Sequence, residues 1–346
     1  MTTPKLPTTT PTRNTHPKHP YVRIPHILNI KQHFQIFIKP AGGISNMCRA
    51  TQNLQSKPSL LLSSSSFHCY DDKGEKGPLP PSKTSALLTV VFIVLFLFAF
   101  EHSIRALITT FLSDYDPVME LERHRHILAR HIAVDGFSCG ICAFVGFQNR
   151  HELKHLLTLE RNDNFHKRIH GYHPGGQQVL LFFFAYQVKN MYDTIVWEDG
   201  VLFIFHHILA GATAWFGMYP GVGSLYAIFF MGISEIPTSI LCLLANFDPE
   251  LGIIGLEEAF PMSRLALATS FVVTFIICRI LLWPLFTYHF HHDAKQALKK
   301  EGENGRPLVK FAVKLILYCC YGLSALQLVF LGEIIVTAKK EIAQFL

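Results

Sequence analysis

Acidic residues are missing from the first 70 positions, which hold no Asp or Glu but many Lys, Arg, His, Thr, Ser and Pro. A segment of that composition cannot bury enough apolar surface to fold, so residues 1–84 read as a disordered basic tail. The tail also lacks interleaved aromatics, which argues against a nucleic-acid partner. Charge is scarce throughout: 16% of residues are Asp, Glu, Lys or Arg, whereas 49% are hydrophobic. A water-soluble chain of this length would spread its apolar residues in stripes over about two domains. No secretory signal stands at residue 1, because the first long apolar run begins only at Ala86. An acid-poor, Ser-rich start resembles an organelle transit peptide, so plastid or mitochondrial targeting stays open.

The apolar residues are gathered into long runs. Ala86 to Phe100 contains no charge and extends toward Leu112, giving a first anchor over 85–112 of the length that crosses a bilayer. Further spans are read at His131 to Phe147, Gln177 to Val196, Gly200 to Tyr219, Val222 to Phe247, Leu265 to Tyr288 and Phe311 to Ala338. The segments 101–130, 148–176, 248–263 and 289–308 read as polar connections. The fold class expected is all-α, a polytopic transmembrane bundle of about seven spans. Its domains are the tail, the anchor and a six-helix membrane domain over 120–340. The distribution of Lys and Arg puts the N-terminus in the cytosol and the C-terminus across the membrane, with Lys189 counted among the loop charges of the far side. Small residues in 131–147, Gly136, Gly140 and Gly146 among them, suit a helix packed inside the bundle. Cys139-Gly-Ile-Cys142 has the spacing of a redox or zinc pair, but without partner ligands it reads as packing, and no metal is expected there.

Ionisable groups inside membrane helices cost about 2.5–3.5 kcal/mol on insertion scales, so each needs a role. The set here is Asn190, Asp193, His206, His207, Glu235 and Arg279. Adjacent helical residues lie about 100° apart. His206 and His207 can therefore both line one wide cavity, or one can orient the other. A kink at Pro237 would widen the cavity beside Glu235. Glu235 and Arg279 could equally form an ion pair that holds two helices together.

In order and spacing these residues resemble the TLC domain, the family that includes the TRAM and Lag1 proteins and the ceramide synthases. The matching pieces are Tyr186-x-x-x-Asn190 with Asp193, Phe205-His-His-Ile208, Glu235-x-Pro-Thr-Ser239, Asn246, Phe275-x-x-x-Arg279 and Pro284. The paired aspartates that follow the His-His pair in ceramide synthases have no counterpart in 208–247. The chain is thus more similar to the smaller TLC-domain proteins linked to membrane lipid composition.

The resemblance implies a multi-pass protein, in the endoplasmic reticulum membrane by family expectation. Its function would be to bind a lipid or acyl chain in an intramembrane cavity and so act in lipid homeostasis. Its site would comprise His206, His207, Asp193 and Glu235, with Tyr186, Asn190, Pro237 and Arg279 against the ligand. An alternative is N-acylation of a sphingoid base, with acyl-CoA as co-substrate and an imidazole, oriented by Asp193 or Glu235, as nucleophile or base. No resident cofactor is called for, the partners are membrane lipids, and a homo-oligomer stays open. A third reading, a di-iron hydroxylase or desaturase, rests on His151-x-x-x-His155, His166-x-x-x-His170 and His289-x-His291-His292.

Overall fold

The computed structural model describes residues 81–112, 121–157, 164–248, 252–301 and 306–345. The basic tail lies outside the described residues except for its last four positions. Among the described residues there is no strand. Seven long helices follow one another: α1 Lys83–Phe111, α2 Glu122–Gln148, α3 Pro174–Val196, α4 Val201–Met218, α5 Ser224–Phe247, α6 Pro261–Lys300 and α7 Pro307–Phe345. All but α3 are both long and apolar enough to cross a membrane. Helix α3 has the length, at 23 residues, but it carries Gln177, Gln187, Lys189, Asn190 and Asp193 on buried faces. It can do so because α1, α2, α4 and α5 pack around it.

The outside of the bundle is apolar. Helix α1 leaves Leu88, Phe92 and Leu95 exposed at 65%, 71% and 63%, a face that suits hydrocarbon and not water. The molecule is an integral membrane protein.

Two close approaches set the helix packing. A Cβ on Gly146 of α2 would lie 2.7 Å from the Ile228 carbonyl oxygen and the Ile233 nitrogen of α5. One on Gly176 of α3 would lie 1.9 Å from the Ser224 carbonyl oxygen. Only a residue without a side chain lets these backbones meet.

Three helices are locally widened into π turns, at Arg130–Gly136 in α2, Ile228–Gly232 in α5 and Ile276–Leu282 in α6. In α5 and α6 a proline follows. Pro284 comes two residues after the widened turn of α6 ends at Leu282. In α5 a tight turn over Ile233–Glu235 intervenes before the helix resumes at Ile236. Pro237 therefore does not bend a continuous helix. It sits in the first turn of a restarted one, where a missing N–H loses no bond. In α2 the Gly136 carbonyl, at the end of the widened turn, accepts a hydrogen bond from Ser239 Oγ of α5 at 3.0 Å, a partner supplied by another helix.

The polar connections are more ordered than their composition suggests. Residues 101–111 continue α1, and α2 begins at Glu122. Helix α6 runs through 289–300. Between α2 and α3, the short helix Phe165–His170 docks on the bundle through Arg168. The Arg168 guanidinium donates to both oxygens of Asp293 at 2.5 and 2.7 Å, and Tyr226 donates to the same carboxylate at 2.5 Å. Such two-point pairing fixes orientation as well as distance. The hydrogen bond to Asp293 raises the Arg168 pKa above its ordinary value.

Candidate functional site

The ionisable residues of the spans sort into two neighbourhoods. The first joins α1, α2 and α3. Lys189, wholly buried, donates to both oxygens of Asp193 at 2.6 Å and to Glu101 of α1 at 2.7 Å. Arg130 of α2 pairs with Asp199 at 2.6 Å and lies 3.7 Å from Asp135. Tyr186 donates to Asp135 at 3.5 Å, and Asn190 donates to the Tyr186 hydroxyl at 2.8 Å. Every cation in this group thus faces carboxylates. Lys189 is not a loop charge, as its place near a span end suggested, because Asp193 one turn away and Glu101 draw it inside.

The second neighbourhood is a cavity where α3 to α7 converge. Its wall includes Phe183, His206, Thr213, Glu235, Arg279 and Trp283. Arg279 donates to Glu235 at 2.9 Å and to Thr238 at 3.0 Å, and its guanidinium lies 5.1 Å from the Trp283 ring centre. The second Glu235 oxygen accepts from the Cys139 thiol at 3.5 Å. Glu235 and Arg279 are therefore an ion pair and part of the cavity wall at once. Widened turns in α5 and α6 precede or carry these two residues, and such turns commonly mark functional positions in helices.

The histidines differ. The Nδ1 of His207 meets Gln187 Oε1 at 2.7 Å, on the α3 side. The His206 ring lies 5.3 Å from that of His207 and 6.4 Å from Phe330 of α7, and its Nδ1 is buried with no hydrogen-bond partner. Among the described residues three other buried side-chain polar atoms share that condition: Arg130 Nε, Ser138 Oγ and Thr287 Oγ1. None of those three residues lines the cavity. A buried unpaired polar atom is destabilising, by about 1–3 kcal/mol, so its place on a residue of the cavity wall is the chemically informative fact.

Of the residues singled out in the sequence, His206, Glu235 and Arg279 come together on the cavity. His207 lies beside them, turned to Gln187. Tyr186 and Asn190 bond to one another on the α2 side of α3, Asp193 belongs to Lys189, and Pro237 is buried where α5 restarts. Neither Asp193 nor Glu235 hydrogen-bonds to an imidazole. Lys189 and Gln187 are the polar partners that the sequence pattern left out. Their sole sequence signal was position, polar residues inside a span. Cys139 and Cys142 are buried thiols. Among the described residues no three His, Cys, Asp or Glu side chains gather as a metal site; the side chain of His155, in the first of the histidine pairs, lies outside the described residues.

The TLC domain, as a family model, matches residues 133–336, from the widened turn of α2 into α7. No curated protein and no solved structure matches the chain. The matched region contains the whole of the cavity wall and covers more than half of the 346-residue chain. The chain belongs to the TLC-domain family.

Proposed function

We propose that this protein binds a membrane lipid, holding its polar end in the cavity beside His206, and acts through that binding in membrane lipid homeostasis. The observation that carries the reading is His206, whose buried Nδ1 is unpaired, on the wall of a cavity where Glu235 and Arg279 are already bonded to each other. A ligand that supplied the missing partner would gain a hydrogen bond in a low-dielectric site, where such bonds are strongest. The endoplasmic reticulum membrane is the compartment proposed, by family.

Acyl transfer on His206 or His207 is the weaker reading. An imidazole nucleophile or base is normally oriented by a third group, and the group found here is the neutral Gln187, on His207. The test is lipid mass spectrometry on the purified full-length chain beside a His206→Ala, His207→Ala double variant. One lipid species enriched over the host membrane, and lost from the variant, is the expected result. Identical bulk lipid on both proteins would overturn the reading, and conversion of acyl-CoA and a sphingoid base to product would favour transfer.

A further inference from the structure

The cavity also limits what kind of lipid it can take. Resting on the reading above, we propose that the group held at His206 is an uncharged hydroxyl, so that the ligand class is a neutral hydroxyl lipid. Fatty acids, amines and phosphate-bearing lipids are the classes it disfavours.

Size is the first argument. The cavity offers about 20 Å³ to the centre of a water-sized sphere, and about 10–15 Å³ on that measure admits one water. A hydroxyl fits without rearrangement, whereas a phosphate needs the walls to part.

Charge is the second. Glu235 and Arg279 face the cavity as a closed pair at 2.9 Å. Arg279 is also bonded to Thr238, and Glu235 accepts from Cys139. An incoming anion would meet Glu235 with no spare cation. An incoming cation would meet Arg279 with no spare carboxylate. Either would be buried without compensation, which is far more costly than burying a hydrogen-bonded hydroxyl.

Bonding is the third. A ring nitrogen is donor or acceptor according to the tautomer, and a hydroxyl can answer both.

The way in is marked as well. Of the eleven residues around the cavity, ten are buried, and His206 alone reaches the surface of the bundle. The tail of a lipid bound here leaves along α4 past His206, where the Phe203 and Phe330 rings, in contact with centres 6.4 Å apart, part to let it through.

Trp283 lines the cavity and serves as a reporter. The chain has three tryptophans, so Trp197→Phe with Trp215→Phe leaves one signal on the full-length protein in detergent. The probes are a long-chain alcohol, acid and amine, matched in tail and brominated near the head. Saturable quenching by the alcohol is expected, with affinity about tenfold above the other two. His206→Leu should abolish that preference, and His206→Gln, which keeps hydrogen-bonding capacity, should retain most of it.

Acid or amine binding as tightly as the alcohol would overturn the hydroxyl assignment while leaving lipid binding intact. So would an alcohol affinity unchanged in folded His206→Leu. Absence of saturable quenching by all three probes overturns the assignment too. If no enriched lipid co-purifies either, the binding reading falls with it.

Discussion

The two polar neighbourhoods of this bundle spend their charges differently. Around Lys189 every cationic side chain meets carboxylates, two at the ammonium and two more at Arg130, whose Nε is left without a hydrogen bond but lies off the cavity wall. Around His206 the ions are paired with each other, yet one ring nitrogen is left over. Closed pairing of that kind ties helices together, and it ties α1, whose Glu101 precedes the matched domain, to α3 inside it. An open polar atom in a cavity adds nothing to the fold. The difference separates residues that hold the bundle from residues available to a ligand.

The comparison can be broken first at Lys189. Lys189→Met leaves the buried Asp193 and the half-buried Glu101 without their cation, and removing one partner of a buried pair costs about 3–5 kcal/mol. A thermal scan in detergent should show a large fall in the unfolding midpoint or no folded protein at all. An unchanged midpoint would mean that the cluster does not hold α1 to α3. Next in size is a pure packing change. Gly146→Val puts a Cβ against the α5 backbone, and overpacking of this sort costs about 1–3 kcal/mol. It touches neither polar group, so stability should fall without a change in which lipid co-purifies.

Glu101→Gln is milder, because Lys189 keeps both oxygens of Asp193. A loss of about 1.5 kcal/mol is expected, the lower end of the range for a hydrogen bond to a charged group. A chemical-denaturation series on the purified protein would read it, and a loss as large as that of Lys189→Met would place the main tie on α1. Smallest of all is His206→Leu. Replacing an unpaired polar atom by an apolar group of similar size should shift stability by less than about 1 kcal/mol.

Much of this architecture was legible in the sequence because the bilayer demands long apolar runs, and those runs mark helices α1, α2 and α4 to α7 directly. The family motif located His206, Glu235 and Arg279 for the same reason: polar residues in such runs are few. What could not be read was pairing. Glu101 lies 88 positions from Lys189 and Asp293 lies 125 from Arg168, and no local pattern carries contacts of that range. Lys189 was counted with the loops because a lysine near a span end usually reaches for water. Segment 289–308 reads as a connection because its charge is high, although in 289–300 helical hydrogen bonding continues past the apolar run. Carboxylates such as Asp193 and Glu235 stand out in an apolar span as partners for an imidazole, whereas the neutral Gln187, which His207 meets, carries no comparable signal.

The most direct measurement records lipid occupancy and stability on the same samples. Native mass spectrometry of the wild type and His206→Leu, paired with their unfolding midpoints, would do so. The variant should lose the lipid-bound species while its lipid-free form unfolds where the delipidated wild type does. Retention of the lipid-bound species, or a midpoint that falls as far as that of Lys189→Met, would contradict a role for His206 in binding rather than in the fold.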